Sequence, residues 1–190
     1  MTAPILLDFP DQFTTDRLLI RAPRPGDGPV VHAACVASLD ALRAWPASLP
    51  WAMFPPSVDA SEQFCRHAAA AWILRTDLPM LVFLHDGQFV GASGLHRMDW
   101  TQRQFEVGWW GHVAQLGQGL MTEAVNGVCT FAIREVGARR LVALPDVENT
   151  RSCRLAERVG FTLEGVMRHE RFDPDGTPRD TCLYARLPSA

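Results

Sequence analysis

The stretch that decides the fold is residues 105–131, FEVGWWGHVAQLGQGLMTEAVNGVCTF. It begins with Phe105, Val107, Trp109 and Trp110, apolar and aromatic residues that are typical of a strand. A polar loop with two glycines follows, and apolar residues then recur at the spacing of a helix face. The helical stripe comprises Leu120, Met121, Ala124, Val125, Val128, Phe131 and Ala132. The stretch therefore predicts a strand, a glycine-marked turn and a helix in direct succession.

The predicted turn is suited to binding an anion. The N–H groups in the first turn of a helix have no partners inside it, and the helix dipole adds partial positive charge there. Gly117 and Gly119 would let the backbone approach a phosphate without a Cβ in the way. A P-loop needs Lys and Ser/Thr after its second glycine, where this chain has Leu120 and Met121. A dinucleotide fingerprint needs a third glycine where Thr122 stands, so neither motif fits.

The loop instead resembles the pyrophosphate loop of the GNAT superfamily of N-acetyltransferases, whose core reads Gln/Arg-x-x-Gly-x-Gly/Ala. The segment 106–124 is similar to the RimJ/RimL branch, which acetylates protein N-termini. Two residues depart from the general motif: Leu116 replaces Gln or Arg, and Met121 replaces a small residue, which we expect to narrow the approach to the pyrophosphate. The resemblance implies acetyl-CoA as cofactor. The implied cofactor-binding residues of this stretch are Trp110, Gly111, His112, Val113, Gly117, Gln118, Gly119, Leu120, Met121 and Thr122.

Composition bounds the remaining possibilities. The chain has 190 residues, of which 47% are hydrophobic and 21% charged, as is typical of one soluble globular domain. A net charge of −3 provides no basic field for nucleic acid or anionic membranes. The N-terminal residues lack the basic flank of a signal peptide, so we expect a cytoplasmic protein. Five widely spaced cysteines without a C-x-x-C motif predict reduced thiols, and no metal site is expected.

The remaining pattern predicts the element order β-α-α-β-β-β-α-β-α-β-β. Strands are predicted over 15–21, 80–85, 88–96, 139–144, 161–168 and 179–187, besides the one in the central stretch, and helices after the Pro/Gly cluster 23–29, over 59–75 and over 149–159. This is the element order of the GNAT fold, and the resemblance covers 18–187. It implies a single domain over residues 1–190, with one mixed α/β sheet of about seven strands and helices on both faces.

Two helix starts carry recognisable cap signals. Asp27 precedes Pro29, a residue favoured in the first helical turn. Asp59 lies three residues before Glu62, which is the spacing of a capping box. We therefore expect Asp27 and Asp59 to cap the two helices that follow them.

A second match to the family lies in 147–161, VENTRSCRLAERVGF. The family has Asn-x-x-Ser at the opening of this helix, followed by Glu-Lys/Arg-x-Gly-Phe. The resemblance implies that Asn149 hydrogen-bonds the pantetheine arm and that Ser152 lies near the sulfur and returns a proton to the thiolate. Asn149 is also a good N-cap residue with Ser152 in the first turn, and both interpretations can hold together.

Two carboxylates are candidates for the general base. Glu164 lies in an otherwise apolar strand opening, and apolar surroundings raise the pKa of a carboxyl group. In the RimL type, which this segment resembles, the equivalent carboxylate is a proposed base. Glu106 is the alternative, because several GNAT enzymes draw the base from that strand. We predict Glu164, and a solvent-facing charge on an edge strand remains its other interpretation.

The connector over 42–52, LRAWPASLPWA, is the third match. RimJ/RimL-type proteins carry Leu-Arg-x-Trp/Phe and Leu-Pro-Trp here, beside the acceptor cleft, which implies that Trp45 and Trp51 form an acceptor wall. Packing inside the core is the alternative for both. His96 and His112 flank the same region, but a lone histidine is more often structural than catalytic.

The resemblance implies an acetyl-CoA-dependent N-acetyltransferase in which a neutral amine attacks the thioester directly. The implied acceptor is a protein or peptide N-terminal α-amine, and main-chain N–H groups over 110–113 would bind the acetyl carbonyl. Small-amine acetylation (of a polyamine, antibiotic or aminoacyl conjugate) is the alternative, followed by a non-catalytic acyl-CoA-binding module. The expected partners are acetyl-CoA and the acceptor, without nucleic acid or membrane, and a homodimer is left open.

Overall fold

One mixed sheet of eight strands runs through the computed structural model, which describes residues 2–188. The strands are β1 Gln12–Thr14, β2 Leu18–Arg21, β3 Leu78–Leu84, β4 Phe89–Asp99, β5 Gln104–Gly111, β6 Arg140–Ala143, β7 Thr162–Phe172 and β8 Pro178–Arg186. Their spatial order is β1-β2-β3-β4-β5-β6-β8-β7, and within the described residues only β5 and β6 pair in parallel. The predicted mixed α/β fold is confirmed.

Seven strands were predicted, and β1 is the additional one. It pairs antiparallel with β2 from Gln12↔Arg21 to Thr14↔Leu19. A single strand was predicted over 15–21, but Thr15 turns the chain: its N–H donates to the carbonyl of Leu18 at 2.9 Å. The first predicted strand is therefore half of a short hairpin.

Five α-helices occur within the described residues, on both faces of the sheet. They are α1 Gly28–Ala37, α2 Leu39–Arg43, α3 Val58–Leu74, α4 Leu120–Phe131 and α5 Thr150–Arg158. A wider helical turn, Ala132–Val136, continues α4, and the short α2 was not predicted. The predicted helical stripe of α4 is confirmed, because its apolar residues are buried.

Asp27 is the N-cap residue of α1, as predicted, but its side chain makes no capping hydrogen bond. Its carboxylate instead accepts from both terminal nitrogens of Arg21, each at 2.7 Å, since a guanidinium offers two charge-assisted hydrogen bonds. The predicted cap of α3 is wrong. The cap of α3 is Ser57, whose Oγ accepts from Ala60 N–H at 3.0 Å. Glu62 instead accepts from the N–H groups of Gly26 and Gly28, at 3.0 Å each, and so joins α3 to the start of α1.

The two faces of β5 pack against different layers. Phe105 and Val107 are buried in the cluster that contains the apolar side of α4. Trp110 packs on the opposite cluster, which α1 and α3 build together with Phe89. This follows from strand alternation, since successive side chains point to opposite faces of a sheet. The strand thus carries one row of side chains toward each helical layer.

The strands β5 and β6 part after a short parallel contact, and this separation positions the site. Their last paired residues are Glu106 and Val142, whereas pairing of β5 with β4 continues to Gly111↔Gly91. From residue 107 onward, β5 therefore has a neighbour on one side only. Backbone groups on its free edge remain available to a ligand.

Among residues 2–188, no helix is both long and apolar enough to cross a membrane.

Candidate active site

A cavity of about 120 Å³ opens where β5 and β6 part, and we call it the cleft. The strand β5 contributes its segment 106–109, and the connector after α2 contributes Trp45, Ser48 and Leu49. The loop after β6 and the start of α5 contribute Asp146, Asn149 and Ser152, besides Leu144 and Pro145, and β7 contributes Arg171. Elements from distant parts of the chain therefore converge on one opening in the sheet.

The backbone of β5 presents only alternate residues to the open edge. His112 N–H donates to the carbonyl of Val90 at 2.8 Å, so this pair is hydrogen-bonded across the antiparallel ladder. Hydrogen-bonded pairs alternate along such a ladder, so the register directs Trp110 toward β4 and leaves Trp109 and Gly111 facing the open edge.

The predicted contact residues over 110–113 therefore need correction. Val113 N–H donates to the buried Oγ of Ser38 at 3.0 Å, and His112 N–H is already paired with Val90. Of the predicted residues, Gly111 is the one whose backbone the register turns toward the open edge. Trp109 joins it, although the sequence did not single it out. Strand register therefore decides which N–H groups of β5 face the open edge. That register is set by the pairing of β5 with β4.

The turn before α4 has the geometry expected of an anion-binding helix start. Gly117 and Gly119 have φ values of 80° and 74°, a left-handed region that disfavours side chains. The first bond inside the helix runs from Glu123 N–H to the carbonyl of Gly119, at 3.0 Å. The N–H groups of residues 120–122 consequently have no partner within the helix. A Cβ at Gly119 would meet only Arg17 within 4 Å, so the space above the loop is open.

Met121 does not narrow this loop as predicted. Its side chain is buried and packs against two glycines of the sheet, so that a Cβ on Gly91 would lie 2.9 Å from its sulfur. A Cβ on Gly111 would lie 3.0 Å from Cγ of Met121. The two glycines provide the room that a bulky residue needs here, and the helix start stays clear.

Asn149 is the N-cap residue of α5, which was one of the two roles predicted for it. Its Oδ1 accepts from Ser152 N–H at 3.1 Å, which leaves the amide nitrogen as the donor for a ligand. Both side chains line the cleft. The cap thus holds Asn149 in place at the open end of β6.

Glu164 lies away from the cleft. Arg140 on β6 donates to both of its carboxylate oxygens, and Arg140 itself pairs with Gln104 at the closed end of the β5–β6 contact. These hydrogen bonds from Arg140 hold the pKa of Glu164 below its usual value, so the expected raised pKa is wrong. The sequence could not reveal this partner, because Arg140 reaches Glu164 across the sheet.

Of the two candidate bases, Glu106 is the one that the fold brings to the cleft. Its side chain is 17% exposed, and Glu106 is the last residue of β5 that pairs with β6. Oε2 is buried without a hydrogen bond, and Nη1 of Arg97 lies 3.1 Å away without the alignment of one. Glu106 lines the cavity wall as an ion-paired carboxylate, which is suited to receive a proton there.

The two tryptophans of the predicted acceptor wall separate in the structure. Trp45 lines the cleft. Trp51 is 44% exposed and packs against Trp110, with ring centroids 5.9 Å apart. Trp51 is therefore outside the core and outside the cleft, on the α1 side of β5.

A family model described as Acetyltransferase (GNAT) domain matches residues 17–162. The chain belongs to the GNAT family. The predicted family resemblance is thereby confirmed, and the cleft described above lies largely within the matched region.

Three relatives illustrate the range of this GNAT chain's neighbours. YdaF of Bacillus subtilis (strain 168), provisionally named a ribosomal N-acetyltransferase, is 32% identical over 55% of this chain and 56% of its own length. The ribosomal-protein-serine acetyltransferase of Escherichia coli (strain K12) is 28% identical over 57% of this chain and 60% of its own. The chain thus matches little more than half the length of these curated relatives. The crystal structure of the microcin C7 self-immunity acetyltransferase MccE, in complex with acetyl-CoA and AMP, has a TM-score of 0.85 at 20% identity, covering 95% of this chain and 98% of that one.

Two arginines of this GNAT chain were missed by the sequence reasoning. Arg17 donates through Nε to Glu123 at 2.6 Å and through Nη1 to the carbonyl of Gln118 at 3.1 Å, so a cation stands at the start of α4. Arg171 lines the cleft and donates to the Oγ of Ser48 at 3.3 Å, joining β7 to the connector. Neither lies in a motif, and only the fold brings them to the site.

Proposed function

We propose that this GNAT chain is an acetyl-CoA-dependent N-acetyltransferase whose acceptor is the α-amine of a protein or peptide N-terminus. The observation that carries the proposal is the parting of β5 and β6 at Glu106. It opens a cleft that joins a free strand edge, the capped start of α5 and the carboxylate of Glu106. An acyl carrier, a nucleophile and a proton acceptor can meet in such an opening.

Acetyl-CoA fits the donor groups along this edge. The N–H groups of residues 120–122 and the open space above Gly119 suit a pyrophosphate, and the guanidinium of Arg17, which is paired with Glu123, lies nearby as a hydrogen-bond donor. The amide of Asn149 and the open edge of β5 offer donors and acceptors to the amides of a pantetheine arm. When bound, acetyl-CoA supplies an acetyl group activated as a thioester.

The chain's own residues provide the electrostatic help that acyl transfer needs. We assign the N–H groups of Trp109 and Gly111 to the acetyl carbonyl, where negative charge grows as the amine attacks. Glu106 accepts the proton of the amine, because only the neutral amine is a nucleophile. Ser152 then donates a proton to the departing thiolate and recovers one from solvent water. This assignment replaces Glu164 by Glu106 as the base.

The acceptor end of the cleft favours the tip of a chain over a bulky small molecule. The whole cleft has a volume of about 120 Å³, well below the roughly 300–1,000 Å³ of pockets that enclose drug-sized ligands. One N-terminal residue can enter beside Trp45 while the rest of the peptide stays outside. The relative named for ribosomal-protein serine acetylation supports a protein acceptor.

Acetylation of a small amine is the second candidate. It draws support from the fold likeness to MccE, whose structure contains AMP beside acetyl-CoA. A small primary amine also satisfies the chemistry of the cleft, because Glu106 and the β5 edge contact only the reacting atoms.

The test is release of free thiol from acetyl-CoA with two acceptor panels, N-terminal peptides and small amines. We expect turnover with peptides, and Glu106→Gln should lower kcat/KM by about 10²–10⁴. Preference for small amines would favour the second candidate. Binding of CoA without turnover on either panel would contradict an enzymatic role.

A further inference from the structure

The guanidinium of Arg171 joins three elements that surround the cleft. Arg171 lies on β7, and its side chain, which is only 16% exposed, lines the cleft. Its Nη1 donates to the Oγ of Ser48, in the connector, at 3.3 Å and to the carbonyl of Leu144, just after β6, at 3.4 Å. These contacts hold the side chain beside the end of β6, where the cleft opens.

The same guanidinium retains donors that the protein does not use. It carries five N–H groups, one on Nε and two on each terminal nitrogen. Nη1 makes the two hydrogen bonds to Ser48 and Leu144, and Nε lies 2.9 Å from Oε2 of Glu170. Within residues 2–188, Nη2 makes no hydrogen bond. Its two N–H groups therefore remain for a ligand.

Asp146, the acidic neighbour in the cleft wall, has no such capacity. Its side chain is 5% exposed, and Arg179 donates to its two oxygens at 2.8 and 2.9 Å. Its Oδ1 also accepts from the N–H of Glu148 at 2.8 Å. Of the charged residues described at the cleft wall, Glu106 and Arg171 are thus left to contact an acceptor.

The N-terminus of a polypeptide presents groups that complement both residues. Its α-amine needs a proton acceptor, which Glu106 provides. The carbonyl oxygen of the same residue is the nearest hydrogen-bond acceptor along the chain, and Nη2 of Arg171 can donate to it. Because the whole cleft has a volume of only about 120 Å³, a single residue inside it can reach both side chains. Hydrogen bonds from a charged donor are the stronger kind, so this contact can discriminate between acceptors.

The charges around Arg171 favour a neutral carbonyl over a carboxylate. Oε2 of Glu170, at 2.9 Å from Nε, already offsets the positive charge of Arg171. Glu106 adds a negative charge to the wall of the same cleft. A free amino acid would bring another carboxylate into this small space, where like charges repel. The donors of Nη2 therefore suit the uncharged oxygen of a peptide bond.

We propose that Arg171 is a specificity-determining residue that hydrogen-bonds the carbonyl oxygen of the acceptor's first residue. The inference rests on the proposed acetyltransferase function and defines its acceptor class as α-amines with an adjacent peptide carbonyl. An alkylamine that fills the cleft and excludes water leaves the N–H groups of Nη2 unpaired. An unpaired polar group out of contact with water is costly, so alkylamines are the poorer acceptors.

The first test needs no variant. It compares a peptide that begins with serine with its isostere in which an alkene replaces the first peptide bond, so that the shape is kept and the carbonyl oxygen is lost. With rates referred to the neutral amine, wild-type kcat/KM should be at least about tenfold lower for the isostere. The KM for acetyl-CoA should be the same with both acceptors. Equal kcat/KM for the two would overturn the inference and leave the proposed function standing.

The second test assigns the discrimination to one side chain. Arg171→Gln should lower kcat/KM for the peptide and hardly change it for the isostere, so the two values should converge. Arg168→Gln is the matched control, because Arg168 is an exposed arginine of the same strand, and it should keep the wild-type ratio. Melting temperatures and CoA affinities check that both variants are folded. An equal loss for both acceptors in folded Arg171→Gln would mean that Arg171 only joins β7 to the connector, which contradicts the inference.

The acceptor panel also separates this inference from the proposed function. Faster transfer to free serine than to the peptide would mean that Arg171 binds a carboxylate, and the assignment to a peptide carbonyl would be wrong. Turnover of alkylamines alone, or no turnover with any acceptor, would reject the proposed function and the inference with it.

Discussion

Arg140 on β6 binds both carboxylate oxygens of Glu164 on β7, at the end of the sheet where β5 and β6 are still paired. The carboxylate is consequently neutralised by a fixed cation and faces away from the cleft. Glu106 stands at the other end of that short contact and lines the cleft, with the more exposed Arg97 as its ion-pair partner. Two acidic residues that look equivalent along the chain thus have different electrostatic surroundings.

This difference predicts that replacing each glutamate by glutamine affects activity differently at the two positions. Glu106→Gln should lower kcat/KM by about 10²–10⁴, because it removes the proton acceptor at the cleft. Glu164→Gln should leave kcat/KM within about twofold of wild type and affect only stability, since exposed ion pairs contribute little. Steady-state kinetics across pH, after a check of CoA binding, would separate them. A large loss of activity for Glu164→Gln alone would return the role of the base to Glu164.

The helix start predicts a specific effect on cofactor affinity. Gly119→Val should weaken CoA binding at least tenfold, about 1.4 kcal/mol, because the side chain obstructs the approach of the pyrophosphate. Gly176→Val is the matched control: its φ of 86° imposes similar strain, and it lies in an open turn remote from the loop. Isothermal calorimetry on both folded variants measures the effect. Equal affinities would contradict the assignment of this loop.

Asn149 allows its two roles to be measured separately. Asn149→Asp should preserve the melting temperature, because Asp caps a helix about as well as Asn does. The same variant should weaken acetyl-CoA binding, since it removes the amide donor and adds a negative charge. Asn149→Ala should lose both stability and affinity. If Asn149→Asp binds CoA as the wild type does, Asn149 serves only as the cap.

The two tryptophans should differ in their effect on the acceptor. Trp45→Ala should raise the acceptor KM at unchanged CoA affinity, because Trp45 lines the cleft. Trp51→Ala should have the smaller effect, since its ring packs on Trp110 outside the cleft. Acceptor-dependent kinetics with a peptide substrate would compare them. A larger KM change for Trp51 would mean that the acceptor approaches over the α1 side of β5.

Asp27 predicts a pH-dependent stability. Burial raises its pKa, but the hydrogen bonds from Arg21 and from the N–H of Arg24 outweigh it, and the net pKa is lowered. A lowered folded-state pKa stabilises the protein above the unfolded value, near 3.9, and this contribution disappears as the pH falls through the folded value. Asp27→Asn should therefore cost about 1.5–3 kcal/mol in unfolding free energy at pH 7, and less near pH 3. Denaturant titrations would measure this beside Asp16→Asn, an exposed control. A cost independent of pH would contradict the charge-based explanation.

Local chemistry predicted the elements of the fold well. The change from strand to helical periodicity around Gly117 and Gly119 indicated β5, the turn and α4, and the backbone of both glycines has the positive φ that such a turn needs. The capping preference of Asn149 likewise placed the start of α5. These features depend on residues close in sequence, so they can be derived without knowing what the chain later packs against.

The identity of the base was not accessible in this way. Glu164 and Glu106 both lie in strands among apolar residues, and the resemblance to the RimL type favoured Glu164. The partner of Glu164 is 24 residues away in sequence, and the place of Glu106 at the cleft depends on where β6 leaves β5. Electrostatic surroundings are a sum over all nearby charges, whichever segment supplies them.

The sequence by itself determined the family, most of the element order, the glycine-marked start of α4 and the cap at Asn149, because each arises from local propensity or from a contiguous motif. Only the tertiary structure decided which of the two candidate bases lines the cleft and which N–H groups of β5 remain free. The physical reason is strand register. A shift of one residue reverses which side chains and backbone groups face the cleft, and register is set by pairing between segments distant in the chain.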